Sequence, residues 1–189
     1  GVIGALGTHA CDILHWFFGP TAMVNSQLST AIKKRPYKEI NEFRKVTSED
    51  ICLTQLDLIS NETNHKIPVQ LSLSSVSRNG RGCWIEIYGS EGSLILGSDN
   101  QKDYVHGFGL WMANKDGPLK SVSPDKELNF QRTWKDGRIA PVASIQKLWA
   151  KSISNGTPII PGLAEAAQSQ KVCDRIKQSA ETALKVEIQ

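Results

Sequence analysis

Apolar residues recur at helical spacing from Leu6 to Phe18, at Leu6, Ala10, Ile13, Leu14 and Phe17. This predicts an amphipathic helix with those side chains inward. Gly19-Pro20 predicts its end, because glycine takes the left-handed exit and proline cannot continue the helical ladder. The pattern then changes to period two. Val24, Leu28 and Ile32 alternate with Asn25, Gln27 and Ser29, and Ile67, Val69, Leu71 and Leu73 with Gln70, Ser72 and Ser74. Cys83, Ile85 and Ile87 alternate with Trp84, Glu86 and Tyr88, while Ile51 to Ile59 reads as a mostly apolar, buried strand. Gly89-Ser90-Glu91-Gly92 is a tight turn into Ser93–Leu96 and predicts a hairpin.

Strands that follow one another without helices between them favour an antiparallel sheet over a doubly wound parallel one. Residues 97–137 are polar, rich in Gly, Asp and Lys, and predict short irregular strands around Trp111 and Trp134. Two helices then close the chain. One spans about Pro141 to Ser154, with Val142, Ile145, Leu148 and Trp149 inward and Asn155-Gly156 ending it. The other spans about Leu163 to Ala183, with Ala166, Cys173, Ile176 and Ala180 inward. Val186-Glu187-Ile188 predicts a last short strand. The sum is an α+β fold read as a single domain over residues 1–189.

Composition narrows the picture modestly. The chain has 189 residues, 40% hydrophobic and 22% charged, which suits one globular domain with its own core. A net charge of +3 with scattered cations gives no footprint for nucleic acid, and the tightest run, Lys33-Lys34-Arg35, reads as a solvated strand end or loop. The four cysteines, Cys11, Cys52, Cys83 and Cys173, form no C-x-x-C pair and lie in apolar segments, so core packing and a reducing cytoplasm are expected. No apolar run is long enough to span a bilayer, and no membrane is expected as a partner. Asn61-Glu62-Thr63 and Asn155-Gly156-Thr157 match the glycosylation pattern, a match that arises easily by chance. The opening residues run from a glycine-punctuated turn straight into a helix, without an initiator methionine. The expectation is a fragment of a longer parent that begins inside the fold.

The glycines do not form a nucleotide loop. Gly1, Gly4 and Gly7 lack the G-x-G-x-x-G spacing and a preceding strand, and Gly80-Arg81-Gly82 has Ile85 where a third glycine belongs. His9 and Asp12 carry more interest, since with Trp16 they lie at i, i+3 and i+7 and share a second stripe on the first helix. One reading makes His9 a proton donor or acceptor, because imidazole titrates near neutrality. The other makes it a first-turn capping residue, with Asp12 favourable near the helix N-terminus. A metal site built on His9 and Asp12 finds no obvious third ligand in His15, His65 or His106, and none is expected. Arg78, in Arg78-Asn79-Gly80-Arg81 between two strands, suits a substrate carboxylate or phosphate, or simply an exposed loop.

Four stretches carry a family resemblance. Gly4-Ala5-Leu6-Gly7-Thr8-His9-x-x-Asp12-x-x-x-Trp16-x-x-Gly19 resembles the opening of the C-terminal domain of the glucose-fructose oxidoreductase / inositol dehydrogenase / rhizopine catabolism (Gfo/Idh/MocA) oxidoreductases. Val46-Thr47-Ser48-Glu49-Asp50 resembles the acidic lead into that domain's second long strand. Ile85-Glu86-Ile87-Tyr88-Gly89-Ser90-Glu91-Gly92-Ser93-Leu94 resembles its recurrent strand-turn-strand. Gly156-Thr157-Pro158, the long helix after it and Val186 resemble its ending. The likeness spans nearly the whole chain.

The resemblance implies an open, predominantly antiparallel sheet with helices on one face, like the catalytic domain of glyceraldehyde-3-phosphate dehydrogenase. It implies a parent whose N-terminal Rossmann domain, absent from these 189 residues, binds NAD or NADP. Substrate, a sugar or polyol, would lie between the two domains, and the open sheet face would make a homo-oligomer. His9 stands where the family places a histidine beside the reacting carbon, with Asp12 in support. No cofactor is expected to bind this chain alone, which should be inactive by itself. One position departs: many sugar and inositol dehydrogenases of the family have an aspartate four residues before the histidine, and here that residue is Ala5. Ala5 keeps open a second reading, a non-catalytic binding or assembly module. A third, an aldehyde dehydrogenase with a cysteine nucleophile, would have to use Cys11.

Overall fold

The computed structural model describes residues 1–37, 39, 41–98, 108–123, 125–126, 136 and 138–188. A single π-helical turn (Ile3–Gly7) runs into α1 (Thr8–Phe18). Strand β1 (Thr21–Ser29), a ribbon of β2 (Lys34–Tyr37) and β3 (Glu42–Lys45), then β4 (Ile51–Ile59) and β5 (Lys66–Ser74) follow. Next come β6 (Cys83–Gly89), β7 (Gly92–Ser98), β8 (Gly109–Asn114) and β9 (Lys120–Val122). Helices α2 (Ile139–Asn155) and α3 (Leu163–Thr182) and strand β10 (Val186–Glu187) complete the chain. Two compact units result: residues Gly1–Arg78 with Ile160–Gln189, and residues Asn79–Ile159.

The first unit is a four-stranded antiparallel sheet, order β10-β1-β4-β5, with α1 and α3 packed on one face. Register puts Val24 opposite Leu56 and Leu56 opposite Val69, and likewise Leu28, Cys52 and Leu73 in line. These side chains share one face because side chains alternate along a strand. They meet Val172, Cys173 and Ile176 of α3 and Cys11 and Leu14 of α1 in one core. Each fully buried aliphatic side chain there, such as Val24, Leu58 or Ile176, contributes about 1.5–3 kcal/mol. Three of the buried hydroxyl residues, Ser26, Thr54 and Ser179, are linked in one hydrogen-bonded chain. Thr54 Oγ1 donates to Ser26 Oγ (3.1 Å), the Ser26 amide to Ser179 Oγ (3.0 Å), and Ser179 Oγ to the Leu184 carbonyl (2.6 Å).

Several expectations are corrected. β4 is not buried on both faces: Cys52, Thr54, Leu56 and Leu58 point inward, while Leu53 and Gln55 are exposed. An antiparallel sheet covered on one side leaves the other side in water. On α1 the core stripe is Cys11, Leu14 and the partly buried Phe18, continuing Ile3 and Gly7 of the π turn. Leu6, Ile13 and Phe17, expected inward, are exposed, because two apolar stripes compete on this helix and the smaller residues fit closest to α3. On α3, Ser169 and Ser179 are buried, whereas Ala166 is exposed. Cys83, expected in the core, is exposed at the start of β6.

The second unit holds an antiparallel sheet in the order β6-β7-β8-β9. The expected hairpin is there, with Gly89 opposite Gly92 and Ser90-Glu91 as its two-residue turn. Gly92 has φ +155°, and a Cβ on it would lie 2.1 Å from the Ala113 carbonyl oxygen of the next strand, so only glycine fits. Of the irregular strands expected over 97–137, β8 and β9 are seen; Trp134 and His106 lie outside the described residues. Helix α2 forms as expected, but Val142, Ile145, Leu148 and Trp149 are all more than half exposed. Periodicity locates an apolar face without saying what covers it.

Candidate active site

The site is built around the π turn and α1. Gly1 to Gly7 is fixed by Glu49: its carbonyl accepts from the Val2 amide (2.8 Å) and its carboxylate from the Ile3 amide (3.0 Å). These are the amides a helix start leaves unpaired. The adjacent Asp50 does the same for the loop after β1, accepting from the amides of Ala31 (2.6 Å) and Ile32 (2.9 Å). The acidic stretch that carries part of the family resemblance thus anchors two chain turns. Which amides it meets is not legible in the chain, because the partners lie 46 and 19 residues away.

With its Cys11 and Leu14 side locked in the core, α1 turns its opposite side outward. His9 is exposed there, Asp12 is half-buried one turn on, and Trp16 is 79% exposed and stacked on Phe17 with ring centroids 5.2 Å apart. The predicted stripe of His9, Asp12 and Trp16 is therefore an accessible one. Arg78 is exposed in the segment after β5. Among the described residues, no hydrogen bond or ion pair joins His9, Asp12 and Arg78 to one another. The Asp12 carboxylate is felt instead at His15, where burial pushes the imidazole below its ordinary value and Asp12 partly offsets it. His15 Nε2 shares a hydrogen bond of 2.8 Å with Thr21 Oγ1, fixing the end of α1 to β1.

Cys11 is 1% exposed, and its hydrogen bond with Cys173 together with burial pushes its thiol upward. A nucleophile needs an accessible thiolate, so an aldehyde-dehydrogenase role for Cys11 is unsupported. Among the described residues, no group of three or more His, Cys, Asp or Glu side chains is placed to hold a metal ion. Nor does any of their glycine segments follow a strand and open a helix in the way a dinucleotide pyrophosphate requires.

Beside the π turn lies a cleft of about 440 Å³, lined by Ala5, Arg35, Tyr37, Arg44, Asp50 and Ser75 among others. Ala5, the residue that departs from the family pattern, is part of its wall, four residues before His9. The basic run read as solvated contributes Arg35 to this wall. Sequence alone missed the pairing, because it cannot show that β2 and β3 fold back on each other to present Arg35 and Arg44 together.

An antiparallel sheet with helices on one face, and a first helix that shows its polar stripe outward, define the class: an α+β domain with one helix face left open. The chain belongs to the Gfo/Idh/MocA oxidoreductases, whose family model, described as the oxidoreductase family C-terminal alpha/beta domain, matches residues 1–188. It is 40% identical over 180 residues to an uncharacterized oxidoreductase of Synechocystis sp., covering 95% of this chain and 47% of that protein. Among solved structures it is similar to levoglucosan dehydrogenase in complex with NADH and L-sorbose (TM-score 0.77, 20% identity, 100% of this chain and 51% of that one). It is also similar to an oxidoreductase from Agrobacterium radiobacter in complex with NAD+, L-tartaric acid and magnesium (TM-score 0.69, 19% identity, 98% and 48%). At these identities the structures establish the fold. The chain spans about half the length of the relatives it matches. No described helix is long and apolar enough to cross a membrane.

Proposed function

We propose that this domain is the substrate-binding half of an NAD(P)-dependent oxidoreductase acting on a sugar or polyol, with His9 as its acid/base residue. The observation that carries this reading is the split of α1: one side is locked into the core and the other holds His9 open to a ligand. His9 takes the proton of the substrate hydroxyl as that carbon is oxidised, and returns it to the carbonyl oxygen in the reverse direction. The nicotinamide of NAD or NADP supplies the hydride chemistry. It belongs on a separate domain, since the glycines among the described residues offer a pyrophosphate no cradle, and in this reading the chain by itself is inactive. Asp12 is a positioning residue for α1. Arg78 contributes a guanidinium for a substrate oxygen.

Two of the relatives of known structure support this class of chemistry by what they bind: levoglucosan dehydrogenase holds L-sorbose, and the Agrobacterium radiobacter protein L-tartaric acid, with NADH and NAD+ respectively. We assign the protein to the cytoplasm, where its four unpaired cysteines stay reduced. It forms a homo-oligomer through an open sheet face. Trp84 and Trp111, stacked at 5.8 Å with Arg81 over Trp84 at 3.9 Å, have the Trp and Arg composition that anchors interfaces.

The test is His9→Asn in the full-length protein. Turnover should fall by about 10²–10⁴-fold with nicotinamide affinity unchanged. Unchanged turnover removes the acid/base role and favours the second reading, a binding or assembly module without chemistry. Ala5 is the observation behind that alternative, because it leaves His9 without the family's aspartate.

A further inference from the structure

The ribbon beside the π turn carries an unusual charge arrangement. In its register Arg35 lies directly opposite Arg44, and Lys34 directly opposite Lys45. Like charges on facing positions of paired strands repel, and a two-stranded ribbon has little stability to spare. Two nearby carboxylates offset only part of this. Asp50 pairs with Arg35 at 4.0 Å while also accepting from the amides of Ala31 and Ile32, and Glu49 Oε1 accepts from the Ile3 amide, which leaves the Arg44 and Lys45 side of the ribbon uncompensated. Arg44 lies flat over the Tyr37 ring at 3.7 Å, and neither Arg44 nor Lys45 has an ion-pair partner among the described residues.

The cleft these residues line, about 440 Å³, falls within the usual size of small-molecule sites. Its wall carries Arg35, Arg44 and Lys45 against Glu49 and Asp50, an excess of one positive charge, and Ala5 adds no further carboxylate. His9, four residues on, follows Ala5 along the same flank of the helix.

We propose that this cleft binds the oxyanion of an acidic substrate, a carboxylate or a phosphate carried on a small polyhydroxylated molecule, with Arg44 as the main contact and Arg35 and Lys45 beside it. This rests on reading the His9 flank as the substrate side. A guanidinium fork suits both oxyanions, and charge-assisted bonds to it are the strong kind. The anion also offsets the charge of Arg44 and Lys45, which no described carboxylate pairs. The substrate class thereby narrows from sugars and polyols in general to sugar acids or sugar phosphates.

Calorimetric titration of the full-length protein with gluconate, glucose 6-phosphate and glucose tests this without relying on turnover. One of the two anions should bind at least about tenfold tighter than glucose, and its affinity should fall as sodium chloride is raised. The tighter of the two identifies the oxyanion. Arg44→Gln should remove the preference, and Arg44→Lys should restore part of it by keeping the charge without the fork. Equal binding of glucose and both anions, or an anion preference that Arg44→Gln leaves intact, overturns the proposal. His9→Asn separates it from the catalytic reading. If that variant keeps both turnover and the anion preference, the role of His9 fails and the oxyanion site stands. If turnover is lost while no anion preference exists in the parent, the reverse holds.

Discussion

The carboxylate of Asp50 accepts a 2.6 Å hydrogen bond from the backbone amide of Ala31. With a second bond from the Ile32 amide it holds the loop between β1 and the ribbon, and so the cleft's Arg35 side. The Ala31 amide, then the Ile32 amide, and to a smaller degree Arg35 keep this carboxyl below its ordinary 3.8, against the opposing effect of burial. A depressed carboxyl contributes stability that is fully present above its unfolded pKa and is lost as pH falls through the lower, folded value. Urea midpoints measured from pH 6 down to pH 2 should therefore drop on the acid side of about pH 4. Asp50→Asn should have a lower midpoint at pH 6 and a shallower acid decline. An unchanged acid decline would show that Asp50 is not among the groups that set it.

His15 gives a second pH dependence. Burial lowers its pKa below 6.5 and Asp12 partly offsets this. The folded state therefore resists the proton more than the unfolded chain does. The neutral form's contribution is intact above 6.5 and is lost as pH falls from there through the folded value. Histidine resonances followed by NMR should place the His15 midpoint below 6.5, and Asp12→Asn should lower it further. A midpoint that rises in Asp12→Asn would mean that the carboxylate does not face this ring. Thr21→Val, which removes the 2.8 Å partner of Nε2, should destabilise by about 1–3 kcal/mol.

These two residues show what was legible in the chain and what was not. Alternation in β1, β4 and β5 and the Gly89–Gly92 turn are local signals, and the sheet and hairpin follow from them. The family resemblance directed attention to His9 and to the Glu49-Asp50 pair. It was silent on which amides the pair would bond, because those contacts are set by tertiary packing. The face of α1 was misread because Leu6, Ile13 and Phe17 are larger and more apolar than Gly7 and Cys11. Close approach of α3 selects small residues, which hydropathy ranks low. The Arg35–Arg44 rung was invisible for a similar reason: register between two short strands is not encoded by either strand alone.

The close approach of α1 and α3 makes a direct prediction. A Cβ on Gly7 would lie 3.0 Å from Cys173 Sγ and 3.0 Å from Ile3 Cγ2, both in the buried core. Neither neighbour has room to retreat, so Gly7→Ala should destabilise by about 1–3 kcal/mol through overpacking. Truncating Cys173 to Ala opens a cavity and also destabilises on its own. Combined, the two changes should cost less than their sum, since the new methyl enters the space the thiol vacates. A double-mutant cycle by urea denaturation measures the coupling, and strict additivity would show that the helices do not meet as described.

Elsewhere on α3, two positions oppose the fold and predict gains. Ala183 terminates the helix at φ +56°, a left-handed conformation in which glycine loses nothing and alanine is strained. Ala183→Gly should stabilise by up to about 1 kcal/mol, the relief of strain being partly offset by glycine's greater freedom when unfolded. Ser169 is 1% exposed, and its Oγ is buried without a hydrogen-bond partner. Replacing a buried, unsatisfied hydroxyl by a hydrogen removes a desolvation penalty of about 1–3 kcal/mol at little loss of packing. Ser169→Ala should therefore raise the thermal midpoint. The two sites are fourteen residues apart on a 20-residue helix and share no partner, so their effects should add to within about 0.5 kcal/mol. Thermal and urea melts of the two single variants and the double variant decide this. A Ser169→Ala protein less stable than its parent would mean that the hydroxyl has a partner, such as a bound water, that rewards it.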